Sequence, residues 1–499
     1  MMTQERLKRC HRPIAQRIIV RGTLILDTPT CLGSGDAESP TDIALLRDSV
    51  SDCALLTGAS IAGALRNYLR EYQHGYGVEE QKGDRATNLF GGTRRDPEGE
   101  QSPLIINDAI SSTIPTVELR DGVEIELTTG TAKPGHKYDV ELLAAGTEFP
   151  LYFELLIEKN KAQTEQQPLI NCLALALEGL ERGEISIGMK KRRGFGRCHV
   201  KEWQVWNFHL EDPDERMVWL KFEHWCRELL PDRETYSSIA TALGVSLENE
   251  EDKRDRFLIH AEFKLVGSLL IRSGQDSTGR APDVVHLKSH RHNETNPVSV
   301  LSGTSLAGVL RHRAERIINT LEKPTSIIDE VFGPDFSKDK SKQAKASRLV
   351  VHEKVIKDAT ELVQNRIAID RFTGGAYHGA LFEEQPIFGG DKTIVTIELE
   401  LRNPYNHEIG LLLLLLKDLW TSDLPVGGES SIGRGRLQGK NATLTQYIWD
   451  REKKLQHKEV WTINQTGEKE PLVVSDSGRL EKFVQKLVNY PTEVLNANE

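Results

Sequence analysis

The feature that most constrains the fold of this 499-residue chain is an internal repeat. Residues 58–66 (GASIAGALR) recur as residues 303–311 (GTSLAGVLR). Three further glycine-containing blocks recur in the same order: 89–91 with 331–333, 129–135 with 373–379, and 194–197 with 433–436. Blocks that keep their order and nearly keep their spacing indicate a tandem duplication. We therefore expect two similar domains.

Each copy shows the same order of predicted secondary structure. An opening strand precedes a glycine-rich or polar loop, a helix, a later strand and an apolar helix. In the second copy, apolar and polar residues of the opening strand alternate, as is typical of a half-buried strand. The predicted strands are 18–26, 151–157, 257–265 and 395–401, and the apolar helices are 169–180 and 409–420. This order predicts an α+β fold of two ferredoxin-like (RRM-like) domains in tandem.

Changes in composition divide the chain into four segments. We expect a first domain at 15–205, a connector at 206–255, a second domain at 256–445 and a C-terminal extension at 446–499. The connector is acidic and partly helical in pattern, and its charged end at 248–256 predicts a solvated hinge. The extension has no counterpart in the first copy, so we expect it to be peripheral.

Charge and hydropathy limit the function classes. With 64 Lys and Arg against 74 Asp and Glu, the formal net charge is −10, so nucleic-acid binding must come from local basic patches. The longest apolar run, 411–416, is far shorter than the ~20 residues of a membrane helix. The N-terminus does not resemble a secretory signal, and the six cysteines form no Cys-x-x-Cys pair. We expect a cytoplasmic protein with free thiols and no membrane partner.

A glycine- and arginine-rich loop near the end of each copy is a candidate for phosphate binding. Glycine lets backbone N–H groups approach a phosphate, Lys and Arg supply charge, and Phe can stack on a base. The alternative is a solvated surface turn, but recurrence in both copies favours phosphate binding. The candidate RNA-binding residues are Lys190, Lys191, Arg192, Arg193, Phe195 and Arg197 in the first copy and Arg434 and Arg436 in the second.

The repeated helix start is a second candidate. Ser60 and Ser305 suit the N-cap position, and a helix N-terminus presents free N–H groups and positive dipole to a phosphate. Arg66 and Arg311 follow two turns later and are candidates for a neighbouring backbone contact. The alternative reading is simple capping with close helix packing.

Matching aspartates lie in the loop that precedes this helix. Asp42 and Asp283 are each followed by apolar residues and then by a basic residue at the fifth position. Near RNA, such a carboxylate can hold a divalent ion or assist a proton transfer. The alternative is an aspartate that stabilises its own turn.

Other catalytic patterns receive little support. His286, His290 and His292 have no counterparts in the first copy, so a zinc site is not favoured. Walker A, Gly-x-Ser-x-Gly and His-Glu-x-x-His patterns are missing from the sequence, which argues against nucleotide hydrolysis and common hydrolase chemistry.

Together, the loop aspartate, the helix block, the Phe-Gly pair and the glycine-rich basic loop resemble the RAMP superfamily. They look most like the backbone RAMP subunits of type III CRISPR effector complexes, which line up along the guide RNA. Residues 365–383 (NRIAIDRFTGGAYHGALFE) resemble the family's thumb hairpin, which wedges into the guide–target duplex. The resemblance spans about 15–203 and 256–440. In the first copy, residues 123–130 (VEIELTTG) lack the Ile-Asp-Arg core of the thumb.

This resemblance implies a fold, a site and partners. It implies RAMP domains with loop and thumb-hairpin insertions, and RNA contacts by Arg366 and Arg371. Asp42 and Asp283 would be two target-cleaving centres that promote attack by the target's 2′-hydroxyl with a divalent cation, expected to be Mg²⁺, held at the same aspartates. The implied partners are a CRISPR guide RNA, a single-stranded target RNA, other RAMP subunits and the large subunit of a type III complex.

Two alternatives remain open at this point. The first is a non-catalytic RNA-binding scaffold of the same complex. The second is a guide-processing RAMP endoribonuclease that cuts precursor RNA without metal; neither copy carries a paired histidine in the equivalent loops, which weighs against it.

Overall fold

A computed structural model of the chain describes residues 13–35, 42–92, 99–126, 129–159, 163–273, 282–292, 294–335, 342–465, 467 and 470–491. In these ranges the chain forms two α+β domains joined by a connector. Apolar side chains of each sheet and its helices make one separate core per domain. The prediction of two ferredoxin-like domains is confirmed.

Domain one is built around a four-stranded antiparallel sheet. Its elements are β1 (Ile14–Leu26), β2 (Leu55–Leu56), α1 (Gly58–His74), α2 (Arg85–Phe90), β3 (Leu104–Ile106), β4 (Ala109–Ile110), β5 (Val117–Ile125), β6 (Ala132–Leu143), β7 (Glu148–Glu158), α3 (Gln163–Glu181) and β8 (Cys198–His209). The sheet order is β3-β7-β1-β8, the order of a ferredoxin-like fold. Strands β5 and β6 form a separate hairpin.

Domain two repeats this arrangement and extends it. Its elements are β9 (Arg256–Val266), β10 (Ser268–Leu269), β11 (Val284–Val285), β12 (Lys288–Ser289), β13 (Val298–Leu301), α6 (Gly303–Thr320), α7 (Ser326–Phe332), β14 (Leu349–Val351), β15 (Lys354–Lys357), β16 (Thr360–Glu361), β17 (Gln364–Ile369), β18 (Ala376–Gln385), β19 (Ile387–Phe388), β20 (Ile394–Arg402), α8 (Asn406–Trp420), β21 (Arg436–Asp450), β22 (Leu455–Asn464), β23 (Val473–Val474) and α9 (Ser477–Val488). The order β15-β20-β9-β21 repeats that of domain one, and β17 and β18 form the matching hairpin.

The C-terminal extension is part of domain two, so the expectation of a peripheral segment is wrong. Strand β22 pairs with β21 from Leu455 to Asn464 and widens the sheet. Helix α9 packs on α8. The ring of Phe483 lies edge-on to Trp461, with ring centroids 6.0 Å apart, and both side chains belong to the core. Apolar burial therefore fixes this segment to the sheet.

The connector is likewise packed rather than hinged. It contains α4 (Pro213–Leu220) and α5 (Ile239–Leu243). Phe222 covers the sheet face of domain one that the helices leave open, where its ring lies edge-on to Trp206 and the buried Arg21 guanidinium contacts both rings. At the predicted hinge, the buried Arg254 binds Asp252 and Glu184. The expectation of a solvated hinge is wrong because these charges are used in ion pairs.

Buried charges hold the two domains together. Arg120, on β5 of domain one, forms a two-pronged ion pair with the fully buried Glu353 of domain two. Arg291 binds the same carboxylate at 2.8 Å, and Glu118 of domain one accepts from Ser289. Burial alone would raise the pKa of Glu353, but the two guanidinium groups outweigh it and lower the pKa.

A second set of contacts covers the open sheet face of domain two. Tyr76 of domain one donates to Glu400 over 3.1 Å, and Arg197 lies 3.6 Å from Glu398. Between them is a cavity of about 820 Å³ bordered by both domains. The connector thus covers the outer sheet face of domain one. Domain one covers part of the outer sheet face of domain two, where His260 stays about half exposed.

The buried His286 makes the stability of domain two depend on pH. Its Nδ1 accepts from the Ile271 N–H and its Nε2 lies 3.2 Å from the Val300 carbonyl, so the neutral ring satisfies both neighbours. Burial lowers its pKa from 6.5 to about 4.

At pH values between about 4 and 6.5, His286 is protonated in the unfolded chain but not in the folded chain. His286 therefore contributes fully to the free energy of unfolding above pH 6.5. This contribution, about 3 kcal/mol, is lost as the pH falls towards 4. Denaturant unfolding at pH 7 and pH 4.5 measures this loss. Between the two pH values, the free energy of unfolding should fall less in His286→Asn than in the wild type. An equal fall in both proteins would assign the loss to other groups.

None of the helices in the described ranges has both the length and the apolar character required to cross a membrane.

Candidate nucleic-acid interface

Asp42 and Asp283 occupy the same position in the two domains. Oδ2 of Asp42 accepts from the backbone N–H of Asp139 on β6, at 2.9 Å. Oδ2 of Asp283 accepts from the backbone N–H of Glu383 on β18, at 2.8 Å. Each aspartate thus docks its loop onto the second strand of the adjacent hairpin.

The residue after each aspartate also has the same backbone pairing in both domains. Ile43 pairs in parallel with Val140, and Val284 pairs in parallel with Glu384. Both aspartates are exposed, and the hydrogen bond to the hairpin uses only one carboxylate oxygen of each. Among the residues that the structure describes, no hydrogen bond to the second oxygen of either aspartate is found.

Further carboxylates surround the site in domain one. Asp139 lies near Asp121 and Asp42, and its pKa is raised, first by a hydrogen bond to Asp121, then by desolvation and then by these neighbouring charges. Within the described ranges, three or more His, Cys, Asp or Glu side chains nowhere come together so as to hold a metal ion. The described residues around Asp42 and Asp283 therefore do not form a complete metal site.

The repeated helices begin earlier than the sequence predicts. Helix α1 starts at Gly58, and its N-cap is Thr57, whose hydroxyl accepts from the Ser60 N–H at 3.2 Å. Helix α6 starts at Gly303 with Ser302 as N-cap. Ser60 and Ser305 lie in the first turn instead, so their assignment as N-caps is wrong. The Ser60 side chain is exposed near this helix end.

Arg66 and Arg311 are engaged inside their own domains. The Arg66 guanidinium binds Glu80 with two hydrogen bonds and donates to the Gly91 carbonyl at 3.0 Å. Arg311 donates to the carbonyl of the matching Gly333 at 2.7 Å. Each arginine therefore ties the repeated helix to the Phe-Gly block, which explains why these two sequence blocks recur together. This contact is structural, and the RNA contact of the two arginines stays a prediction.

The basic loop of domain one lies at the domain junction. Lys190 stacks on Tyr138 of the β6 hairpin strand, with its Nζ 3.9 Å from the ring centroid. Lys191, Arg192 and Arg193 form a short 3₁₀ turn beside the cavity between the domains. Burial lowers the pKa of Arg192 and of Arg193, and each is lowered further by a neighbouring arginine. A phosphate bound here would stabilise these closely spaced positive charges, which Glu71 and Glu400 offset only in part.

Two predicted RNA-binding residues of the glycine-rich loops are buried. Phe195 is 5% exposed and packs with Cys31, Val140 and Leu142, so it is not available to stack on a base. Arg434 is 2% exposed and binds Glu384 and Glu429. Both expectations are wrong because these side chains join the loop to the hairpin of the same domain.

Other predicted residues lie at the surface. Arg436 and Arg371 are exposed, the latter at the tip of the β17–β18 hairpin. Arg366 is partly exposed, with its Nε 2.8 Å from Glu384. Arg197 is held by Glu398 of domain two.

The β17–β18 hairpin carries an apolar face that the sequence patterns did not single out. Phe372 is completely exposed, and Ile369, Tyr377 and Leu381 are more than half exposed. Large apolar side chains exposed together on one hairpin indicate a binding surface. The apolar residues within 376–382 (AYHGALF) could have indicated it.

The β5–β6 hairpin forms despite its divergent sequence. Its strands pair from Val117 and Leu143 to Ile125 and Ala132. Its surface carries ion pairs, in which Glu124 binds Lys133 and His136, and it also exposes Leu119, Val123 and Ile125 by 40–45%. The two hairpins thus share a position and differ in surface chemistry.

This architecture defines a class: tandem ferredoxin-like domains, each with a hairpin docked by a loop aspartate and flanked by a glycine-rich loop. The sequence model of the RAMP superfamily matches residues 23–199 and 262–438, one stretch in each domain. The chain belongs to the RAMP superfamily, as a two-copy member. Membership indicates a CRISPR-associated, RNA-binding protein. No curated protein matches the chain.

Proposed function

We propose that this chain is a guide-RNA-binding backbone subunit of a type III CRISPR interference complex that cleaves target RNA at two sites, one per domain. The observation that carries the proposal is the matched aspartate–hairpin contact in both domains. A contact repeated at the same position of both domains is what two equivalent cleavage centres require.

The proposed reaction is transesterification within the target strand. The 2′-oxygen attacks the adjacent phosphorus, the bond from phosphorus to the 5′-oxygen breaks, and the products carry a 2′,3′-cyclic phosphate and a 5′-hydroxyl. The carboxylate of Asp42 or Asp283 takes the 2′-hydroxyl proton, and the leaving oxygen takes one from water. Stacked A-form geometry disfavours this in-line arrangement, so a nucleotide must be displaced from the stack.

The hairpins, which we call thumbs from here on, supply this displacement. The exposed Phe372 at the tip of the β17–β18 thumb can enter a guide–target duplex and stack on a base. The guide backbone would contact Lys191 and Arg192 in domain one and Arg371 and Arg436 in domain two. Base pairing reads the target sequence, so few protein contacts to bases are needed.

The thumb of domain two gives a site-specific prediction. Phe372→Ala should slow the cut assigned to Asp283 by about 5- to 150-fold, because base–aromatic stacking contributes about 1–3 kcal/mol. The cut assigned to Asp42 should be unaffected in the same reaction, which serves as an internal control. Single-turnover cleavage of an end-labelled target measures both rates. Equal slowing of both cuts would show that Phe372 acts on the whole complex rather than on one site.

The proposal as a whole is tested on the purified assembly with its guide. Native mass spectrometry should find this chain with guide RNA and other subunits, and a complementary target should be cut twice. We propose Mg²⁺ as the accompanying cation, with its remaining ligands from RNA and water, so EDTA should stop cleavage without releasing the guide. Unchanged target in the presence of Mg²⁺ would favour the scaffold alternative. Cutting of precursor RNA by the isolated chain in EDTA would favour the guide-processing alternative.

A further inference from the structure

The junction inside this chain shows how one domain covers the end of another. Glu118 and Arg120, at the base of the first thumb, are about 5% exposed because they lie against domain two. The basic loop of domain one is sealed by the same neighbour: a Cβ on Gly194 would lie 2.4 Å from the backbone nitrogen of Glu353. Domain two therefore caps the thumb base and the glycine-rich loop of domain one.

Strand register identifies the equivalent surface of domain two. Val140 and Glu384 are matched by their parallel pairing with the loops after Asp42 and Asp283. Arg120 lies opposite Val140 in the first thumb, and Gln364 lies opposite Glu384 in the second. Gln364 thus corresponds to Arg120, and Leu362 corresponds to Glu118.

These equivalent positions are uncovered. Leu362 is 55% exposed and Val363 is 47% exposed, whereas Glu118 is 5% exposed. The glycine-rich loop has the same backbone in both domains, with Gly194 at φ 88° and Gly433 at φ 88°. Among the described residues, however, nothing lies within 4 Å of a Cβ built on Gly433.

The uncovered positions form one surface. Gln364 accepts from the Arg434 guanidinium at 3.1 Å, which joins the thumb base to the loop. Beside it, Ile432 is 52% exposed in the 3₁₀ turn that matches Lys191–Arg193. We call Leu362, Val363, Gln364 and residues 429–433 the open junction face.

We propose that the open junction face docks a further ferredoxin-like domain, contributed by a different chain, in the way that domain two docks on domain one. This inference rests on the proposed role as one subunit of a larger complex. The partner's contact edge should be apolar or uncharged, because Leu362 and Gln364 replace the charged Glu118 and Arg120. Its main-chain edge should approach Gly433 as Glu353 approaches Gly194.

The connector argues against a second copy of this chain as the partner. In domain one, Asp108 is the counterpart of Glu353, since it directly follows the matching strand and caps the Gly58 N–H at 2.7 Å. Arg227 of the connector donates to the Asp108 carbonyl at 2.7 Å. The connector therefore lies across the edge that a second copy would present. Head-to-tail pairing of copies would also build an open-ended filament.

Site-specific crosslinking in the purified assembly tests the proposal. Leu362→p-benzoylphenylalanine and Ile432→p-benzoylphenylalanine place a photoreactive group on the open junction face. Val488→p-benzoylphenylalanine, on the exposed end of α9, is the control. Mass spectrometry of the crosslinked peptides identifies the partner and its segment.

We expect both test positions, and not the control, to crosslink one other protein at a segment of a ferredoxin-like domain. Leu362→Arg/Ile432→Arg should reduce co-purification of that protein at least tenfold, while Val488→Arg should not. Crosslinks to a second copy, to RNA alone or to no polymer would overturn the inference. Target cleavage is measured separately. If the wild-type assembly does not cleave target RNA, the proposed function is contradicted, but the crosslinking result is unaffected.

Discussion

Glu353→Ala is expected to destabilise the protein by about 3–5 kcal/mol. The carboxylate is fully buried and binds both Arg120 and Arg291, so its removal leaves two guanidinium groups at the domain junction without their counter-ion. The cost of an uncompensated buried charge exceeds the net contribution of the original ion pair. Denaturant unfolding followed by circular dichroism measures the change.

A matched control is available in the same domain. Glu330 is exposed and lies 3.8 Å from Arg348, so Glu330→Ala removes an ion pair at the surface. Exposed ion pairs contribute about 0–1 kcal/mol because solvent screens them. If Glu330→Ala and Glu353→Ala had equal effects, the Glu353 network would not be the electrostatic link between the domains.

Asp42→Asn and Asp283→Asn are each expected to slow one target cut by about 10²- to 10⁴-fold. Asparagine keeps an oxygen that can accept from the Asp139 or Glu383 N–H, so the loop should stay docked on its thumb. It removes the negative charge that would take the 2′-hydroxyl proton. Single-turnover rates at each cut measure the effect.

The control for this pair is Asp48→Asn. Asp48 belongs to the same loop as Asp42 but caps its own turn by accepting from Ser51 at 2.8 Å. We expect cleavage rates within about twofold of wild type, because this carboxylate makes no contact with the thumb in the described structure. A loss at Asp48→Asn as large as that at Asp42→Asn would mean that loop conformation, rather than the carboxylate, controls cleavage.

The sequence predicts the features that depend on repetition and periodicity. Recurrence of blocks such as 58–66 and 303–311 predicts two domains, and their spacing places Asp42 and Asp283 in equivalent loops. These predictions succeed because duplicated segments adopt the same local structure. The matching hydrogen bonds to the two thumbs follow from that equivalence.

The direction of individual side chains could not be predicted in this way. Arg66 has the residue type of a phosphate ligand, but Glu80 and the Gly91 carbonyl, distant in sequence, turn it inward. Phe195 is buried because the first thumb supplies apolar neighbours. Such contacts are formed only by tertiary packing, and composition carries no information about them.

The connector and the extension illustrate the same limit at the level of segments. Charged residues at 248–256 resemble a solvated hinge, yet the buried Arg254 is neutralised by Asp252 and Glu184. The C-terminal segment has no counterpart in the first copy, yet Phe483 and Trp461 make it part of the core. A segment without a counterpart in the other copy marks an addition to its domain. It does not show that the segment is loosely packed.

The most direct test of two equivalent cleavage centres in one chain is to map the cuts in a target RNA labelled at both ends. Wild-type assembly, Asp42→Ala, Asp283→Ala and the double variant are compared with the same guide. We expect two cuts from the wild type, a different single cut lost in each variant, and neither cut in the double variant, with guide binding retained throughout. Two cuts at unchanged positions and rates in the double variant would contradict the assignment of both aspartates.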